Sequence, residues 1–553
     1  MKKGALVALG LLVLGSGAGA YALSGTPPDA ARQPAAAAHD PYPPPAGKDP
    51  RPTLVRAGIS VVGRFDVFEH TFVWKSARYR DPWEQVDVEM MLRAPGGRSY
   101  QVGGFYYGPN RWKVRFAPDR VGRWFWRAVL TDGRRSDVVE GSLDVRPSGS
   151  PGFVRRSPYN RFRWVFSDLT PYYPIGIQDC TIQLDHRGSP LAHWGLDGGF
   201  RPPGVHTNGR MVDMDTYMRA YARAGVNLFR WSVDNCSFNL FQRIDPGGNV
   251  YSNWGGLWGD ELVRHLRRHG FRVYMTLFNR PPFAQDPTAA QLAAVDRYVK
   301  YVVDRYGAYV DFWELMNEST ASDSWYRQVG GYLHRIDPYH HPVSTSWEEP
   351  SLPVIDINSP HWYETESEFA SDADAFQRIL GWARAGKPVI VGEQGNNGQN
   401  WDPRSAVRMR LRAWSAFFAQ GVLIFWNASF AKDDQGMAIY LGPEERQYLQ
   451  VLQDFTTGFD PRARVAALSP SDPSVVRGYA LRGPRTYAAY LVNHVDHTDP
   501  TAGISVRINP LVGGPAEWVD PSTGTVLRRL RLGAGDQTVN VPPFITDVAL
   551  KVN

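Results

Sequence analysis

The spacing of hydrophobic residues changes twice along the chain. From about Thr53 to Arg146, apolar and polar residues alternate in short runs such as Val86-Asp-Val-Glu-Met-Met-Leu, Trp112-Lys-Val-Arg-Phe and Arg123-Trp-Phe-Trp-Arg-Ala-Val-Leu, with turn signals such as Ala94-Pro-Gly-Gly between them. Alternation with period two places side chains on opposite faces of a strand, so this stretch predicts an all-β sandwich. From about Gly152 to Asp460 the pattern becomes a short apolar run followed by residues at helical spacing. Eight runs read as buried parallel strands: Tyr173-Pro-Ile-Gly-Ile, Val226-Asn-Leu-Phe-Arg-Trp, Arg272-Val-Tyr-Met-Thr-Leu-Phe, Val310-Asp-Phe-Trp-Glu-Leu, Val343-Ser-Thr-Ser, Ile355-Asp-Ile-Asn, Val389-Ile-Val and Val422-Leu-Ile-Phe-Trp. Amphipathic segments lie between most of them, among them Asp215 to Gly225, Leu292 to Tyr306 and Ala406 to Ala419. Eight strands with intervening helices predict a (β/α)8 TIM barrel. An open doubly wound sheet would more naturally carry a Gly-rich phosphate turn after its first strand, and none follows. Alternation returns from about Ala463 to Asn553, in Tyr487-Ala-Ala-Tyr-Leu-Val and Ile504-Ser-Val-Arg-Ile, and predicts a C-terminal β-sandwich.

The expected organisation is therefore multidomain, a central barrel over residues 152–460 flanked by β-sandwiches over 53–147 and 463–553. Ahead of these, Lys2-Lys3 precede an apolar stretch and a small-residue segment ending near Ala20, the pattern of an export signal. Apolar and small residues continue to Leu23, so residues 1–23 also fit an uncleaved N-terminal anchor. Either form places the folded part outside the cytoplasm: secreted, periplasmic or held at the outer face of the membrane. Residues 24–52 are rich in Pro and Ala with almost no large aliphatics, and read as an extended tether.

Composition adds two constraints. The chain has 553 residues, with 19 Trp and 26 Tyr; such rings fill large hydrophobic cores or serve as flat apolar platforms with hydrogen-bonding handles, and composition alone does not separate the two readings. Its net charge of +6 is spread over surface segments such as Arg264-His-Leu-Arg-Arg268, with no basic block interleaved with aromatics, which argues against nucleic-acid binding. Cys180 and Cys236 are the only cysteines, so there is no disulfide framework; a single bridge between them and two free thiols are both open.

Candidate chemistry lies at the strand ends. Asp311-Phe-Trp-Glu-Leu-Met-Asn-Glu318 and Pro388-Val-Ile-Val-Gly-Glu393-Gln-Gly are apolar runs that end in a carboxylate. In a TIM barrel the C-terminal strand ends carry the site. Those ends here are Arg230-Trp231, Phe278-Asn279, Asn317-Glu318, His361-Trp-Tyr363, Glu393 and Trp426-Asn427. Arg230, Asn317-Glu318, His361-x-Tyr363, Glu393 and Trp426, in this order, resemble clan A of the retaining glycoside hydrolases, the barrel group that includes cellulases and β-mannanases. The resemblance covers the barrel region. It implies Glu318 as acid/base and Glu393 as nucleophile of a double displacement, with Arg230 and Tyr363 holding Glu393 ionised and aimed. It further implies Asn317 at the 2-hydroxyl of the reacting sugar and Trp426 as the floor of that subsite. An apolar wall of Trp313 and Met316 is expected to help the acid keep its proton. The N-terminal stretch, through Phe105-Tyr-Tyr-Gly and Val114-Arg-Phe-Ala-Pro-Asp, resembles the immunoglobulin-like domains of unknown function found ahead of bacterial glycosidase barrels. The C-terminal stretch looks like the β-sandwich appended to many of them.

Two positions depart from that pattern. Asn279 stands after strand three where many relatives have a histidine, and Gln394 follows Glu393 where an aromatic is common; both are expected in the substrate shell. Glu348, Glu349, Glu364 and Glu366 are rival acids in polar runs that read as solvated loops. Asp179, Asp234 and Asn235 are expected to line the cleft, and two of Trp254, Trp258, Trp347 and Trp401 to serve as sugar platforms. No His-x-His pair follows the first strand, so neither a metal nor another cofactor is expected. The expected partner is an extracellular polysaccharide or oligosaccharide substrate. The competing possibility is a carbohydrate-binding surface protein whose barrel has lost activity.

Overall fold

The structure is a computed structural model that describes residues 57–58, 60–74, 79–178, 182–183, 204–207, 210–232, 239–363, 367–395, 404–426 and 441–552. The leader, the tether, Cys180, Cys236, Asp179, Asp234, Asn235, Glu364, Glu366, Trp401 and Asn427 lie outside the described residues. Among the described residues no helix is long and apolar enough to cross a membrane.

The central sheet is all-parallel. Its strands are β1 (Gly176–Gln178), β2 (Leu228–Ser232), β3 (Arg272–Phe278), β4 (Phe312–Met316), β5 (Val343–Thr345), β6 in two segments (Ile357–Asn358 and His361–Tyr363), β7 (Ile390–Gly395) and β8 (Val422–Trp426). Each pairs with its neighbours in sequence, and β8 returns to β1 with Ile424 opposite Gly176. The Asn358–Val389 bridge joins the two sides at β6, so the sheet curls into a barrel. Among the described residues seven helices accompany it: α1 (Met214–Arg223), α2 (Asn253–Arg268), α3 (Ala289–Tyr306), α4 (Asp323–Ile336), α5 (Ser371–Ala383), α6 (Ser405–Phe418) and α7 (Pro443–Thr456). A (β/α)8 pattern calls for eight. The missing one falls between β5 and β6, where residues 346–356 connect the strands directly. Pro350 and Pro353 interrupt that short link, and each removes a backbone donor that a helix would need.

Strand alternation sorts the side chains. Leu228, Phe312, Ile357, Ile390 and Val422, the first residues of their strands, form an inner apolar cluster with Tyr274 and Ile424. Val154, Trp164 and Tyr172 join it from a three-stranded antiparallel sheet (Val154–Arg156, Trp164–Phe166, Pro171–Tyr172). This plug closes the N-terminal end of the barrel. Residues at the alternate positions, among them Phe229, Trp231, Trp313, Leu315, Trp362 and Phe425, pack outward with the helices. Trp313 therefore does not wall the cleft: it belongs to the helix layer, and its indole N–H donates to Asp337 Oδ2 at 3.2 Å. Polar inward-facing residues are left for the C-terminal strand ends.

On the N-terminal side, Ser99–Gly108 pairs with Asp87–Arg93 through its first half and with Arg111–Phe116 from Gly104 onward, joining eight strands into one folded sheet. On the C-terminal side a six-stranded and a three-stranded sheet share one apolar cluster that includes Trp518, Phe544 and Val506. Both flanks are fastened to barrel helices by buried arginine–carboxylate pairs. Arg115 donates to both oxygens of Asp260 on α2 at 2.8 and 2.9 Å, and Arg305 on α3 grips the same carboxylate at 3.0 Å through two nitrogens. Burial pushes the Asp260 carboxyl up, but the two guanidiniums overcome this and hold it well below the usual carboxylate range. Arg410 on α6 binds Asp547 at 2.8 and 3.2 Å, and Arg477 binds Asp372 on α5 at 2.6 and 2.9 Å.

Removing one partner of a buried ion pair leaves a charge stranded, at a cost of about 3–5 kcal/mol. Asp260→Ala strands Arg305 and leaves Arg115 with Glu69 as its remaining carboxylate, at 2.8 Å, and is expected to lower unfolding stability by about that range in urea titrations. Arg123→Ala, which loses a solvent-exposed pair with Asp144 at 3.7 Å, is expected to cost under about 1 kcal/mol.

Candidate active site

Glu393 reaches the barrel interior through a bulge in β7. Ile390 and Val391 pair in register with Val422 and Leu423, but the next partner of Phe425 is Gln394, so Gly392 and Glu393 together face a single step of β8. Gly392 is required there: a Cβ would lie 2.8 Å from Ser359 Oγ and 3.0 Å from His361 Nε2. On β6, His361 and Tyr363 stand two apart and share the inward face, while Trp362 between them packs outward beside Arg378 and Arg412. Glu318 follows β4 directly. The strand end is held on both sides, by Asn317 N–H to the Phe278 carbonyl at 2.8 Å and Ser346 N–H to the Met316 carbonyl at 3.1 Å. The chain then turns at Glu318 with φ 40°, a left-handed conformation that costs a non-glycine residue on the order of 1 kcal/mol.

Hydrogen bonds link these side chains into one network. Arg230, fully buried, donates to Glu393 Oε1 at 2.7 Å, to Glu314 Oε2 at 2.8 Å and to Asn317 Oδ1 at 2.7 Å, and it also contacts Gln178 Oε1. The Gln178 amide donates to Glu393 Oε1 at 3.0 Å, and the Tyr363 hydroxyl donates to Glu393 Oε2. Asn317 donates to Asn279 Oδ1 at 3.2 Å. His361 Nδ1 lies 2.8 Å from Glu318 Oε1 and 3.5 Å from Glu393 Oε2. The Trp426 ring meets the Tyr363 ring at 5.7 Å between centroids and 66°. All eight residues singled out from the sequence (Arg230, Asn279, Asn317, Glu318, His361, Tyr363, Glu393 and Trp426) thus lie at one end of the barrel and are joined by contacts.

The two glutamates sit in different surroundings. Glu393 is buried, whereas the Glu318 side chain keeps 39% of its surface exposed. Burial pushes the Glu393 carboxyl up, and His361, Arg230 and Tyr363 together outweigh burial and bring it below its ordinary value. Burial and the neighbouring Glu393 charge raise the Tyr363 hydroxyl well above its usual range, which keeps it a donor. Glu318, His361 and Glu393 also bring one donor atom each within 4.8 Å of one another, the spacing of a three-ligand cation site. Those donors already have protein partners. Glu393 is taken up by Arg230, Gln178 and Tyr363, and His361 by Glu318 through Nδ1 and by Ser346 through Nε2.

Three members of the network escaped the sequence: Gln178, Glu314 and Ser346. Glu314 is a third, fully buried glutamate on β4, four residues before Glu318, held by Arg230, by the Thr276 hydroxyl and by Ser346 Oγ at 3.0 Å. The signal was alternation along Phe312-Trp-Glu-Leu-Met, which puts Glu314 inward beside Phe312. Other expectations are corrected. Gln394 is wholly buried with its amide on the Gly395 carbonyl at 3.2 Å, so it offers no cleft surface. Trp258 is buried in the helix layer and Trp254 packs against the same cluster, leaving Trp347, 41% exposed just past β5, as the accessible ring of these three. Glu348 is exposed and Glu349 half-buried on the same link, consistent with a solvated loop.

Residues 61–131 match a family described as Domain of unknown function (DUF5060). A search of curated protein sequences finds no significant match. Among solved structures, the chain is similar to a candidate glycoside hydrolase from Bacteroides vulgatus ATCC 8482, with TM-score 0.62 and 17% identity over 89% of this chain and 99% of that one. At that identity the likeness shows a shared fold, that of a glycoside-hydrolase-like protein. A cycloisomaltooligosaccharide glucanotransferase from Paenibacillus sp. gives TM-score 0.44 and 9% identity over 91% of this chain and 99% of that one. An exo-β-1,4-mannosidase from Opitutaceae bacterium strain TAV5 gives 0.40 and 14% over 54% and 62%. Scores this low carry no weight.

The network makes a pH prediction. A carboxyl lowered on folding contributes stability that is present above its ordinary value of about 4.5 and lost as pH falls through the lower folded value. Tyr363→Phe removes one donor to the charged form, so the Glu393 titration is expected to move upward by about one pH unit. Carbon-13 NMR of glutamate-labelled protein, with Glu393→Gln to assign the signal, measures it; an unmoved midpoint contradicts the role given to Tyr363.

Proposed function

We propose that the protein is a retaining glycoside hydrolase that cleaves O-glycosidic bonds of an extracellular polysaccharide or oligosaccharide. The observation that carries the proposal is the approach of a Glu318 oxygen and a Glu393 oxygen to within 4.8 Å. Retaining enzymes hold their two carboxyls roughly 5–5.5 Å apart; inverting enzymes separate them by about 6.5–9.5 Å to admit a water. The barrel reads as a (β/α)8 TIM barrel of the clan A type that has lost the helix between β5 and β6. The flanking sheets read as an immunoglobulin-like sandwich over 53–147 and a C-terminal sandwich over 463–553, with the barrel over 152–460.

Each step has a residue suited to it. Glu393, kept charged by Arg230 and Tyr363, attacks the anomeric carbon while Glu318 gives its proton to the departing oxygen; the C–O bond breaks and a glycosyl ester forms on Glu393. Water then enters, Glu318 takes its proton, and the oxygen bonds to the same carbon as the ester breaks, so two inversions return the starting configuration. Glu318, partly exposed, can exchange its proton with solvent between steps, whereas buried Glu393 is aimed by fixed donors. Asn317, oriented by Arg230 and Asn279, is placed to meet the 2-hydroxyl, and Trp426 to carry the sugar face. The residues need no cofactor. The N-terminal segment directs the folded part out of the cytoplasm, free or anchored.

Glu318→Gln and Glu393→Gln are each expected to reduce hydrolysis by at least about 100-fold on whichever member of a plant and bacterial polysaccharide panel the wild type degrades. Proton NMR of the first product is expected to show the anomeric configuration of the substrate. Full activity in both variants defeats the enzymatic proposal, and an inverted first product defeats the role of Glu393.

A further inference from the structure

The third glutamate is linked to Glu318 through Ser346 and His361. Glu314 Oε1 receives the Ser346 hydroxyl at 3.0 Å, while its other oxygen is held by Arg230 and Thr276. A serine hydroxyl has one proton. With that proton committed to Glu314, Ser346 Oγ can only accept from its other neighbour, His361 Nε2, at 3.0 Å. The imidazole is thereby required to carry hydrogen on Nε2, and in its neutral form Nδ1 is left as a lone pair toward Glu318 Oε1 at 2.8 Å.

We infer that Glu314 and Ser346 are positioning residues that fix the His361 tautomer and thereby retain on Glu318 the proton that the leaving group receives; this rests on the hydrolytic function proposed above. With Nε2 protonated, a deprotonated Glu318 would set a carboxylate lone pair against the Nδ1 lone pair. That repulsion is relieved when a proton lies between Oε1 and Nδ1. Without the Ser346 acceptor the ring can move its hydrogen to Nδ1 and donate to a Glu318 carboxylate, so the acid is lost more readily. The charged and titratable groups facing the imidazole are Glu318 after β4, Glu393 on β7 at 3.5 Å and Tyr363 on its own strand. Glu314 and Arg230 act behind them through Ser346 and Glu393. Ser346→Ala leaves these groups in place.

The test is the pH profile of kcat/KM on the polysaccharide that the panel identifies, for wild type, Ser346→Ala and Ser346→Thr. The alkaline limb is expected to move to lower pH by about one unit in Ser346→Ala and to stay in place in Ser346→Thr, which keeps the hydroxyl. A general fall in activity with the limb unmoved overturns the inference. Nitrogen-15 NMR of histidine-labelled wild type, with the His361 signals assigned from His361→Gln, gives a readout independent of activity and of the variants' folding. Hydrogen on Nε2 above the alkaline limb supports the inference, and hydrogen on Nδ1 overturns it. These failures are separable from failure of the hydrolase proposal, which the Glu318→Gln and Glu393→Gln activities decide.

Discussion

The guanidinium of Arg230 has no exposed surface, and it binds Glu314 and Glu393 together at the polar end of the barrel. Burying a cation that completely costs several kcal/mol unless its hydrogen-bonding capacity is filled, and stranding it by removing a partner costs about 3–5 kcal/mol. The arrangement of β1, β2, β4 and β7 answers this requirement, since Gln178, Arg230, Glu314 and Glu393 must meet within hydrogen-bond reach. Once they do, the nucleophile candidate is charged and oriented before any ligand arrives. The same cation orients Asn317 at 2.7 Å. A single buried charge thus ties electrostatics, strand register and side-chain aim together.

Around this centre the barrel is divided along its axis. The N-terminal strand ends carry aliphatic and aromatic residues sealed by the small sheet at residues 154–172. Acids, amides and hydroxyls follow along the same strands toward the C-terminal ends, where the last turns of backbone open to loops. A site on strands is held more rigidly than one on loops. The flanking sheets add to that rigidity through Asp260, Asp547 and Asp372, carboxylates clamped by arginines across each junction. The bulge at Gly392 and the left-handed turn at Glu318 are irregularities of this scaffold that each coincide with a candidate reacting group. Local strain of about 1–3 kcal/mol is tolerable where the surroundings over-determine it.

Much of this was legible from the chain. Period-two alternation in Trp112-Lys-Val-Arg-Phe and the apolar run before Asn317-Glu318 depend on local rules, which hold wherever one strand face is buried. The two-residue spacing of His361 and Tyr363 puts both on one strand face and Trp362 on the other. The eighth helix failed to appear because Pro350 and Pro353 break the link that should have formed it, a local signal outweighed by the expectation of a complete barrel. Glu314 was passed over because a glutamate inside an apolar run has no local partner; its partners, Arg230 on β2 and Ser346 just past β5, are 84 and 32 residues away. Trp313 looked like a cleft wall from its closeness in sequence to Glu318, but strand parity sends it to the opposite face.

The sequence by itself determined which residues could be charged, apolar or aromatic at each strand end, and the periodicity that says which of them face inward. Those properties are local, set by backbone geometry and side-chain chemistry. Only the tertiary structure decided that two glutamates come within 4.8 Å while a third stands behind them. It also decided that Arg230 divides its hydrogen bonds among them, and that Ser346 lies between Glu314 and His361. Such relations depend on how strands far apart in the chain register against one another, and the closure of the sheet brings them into contact.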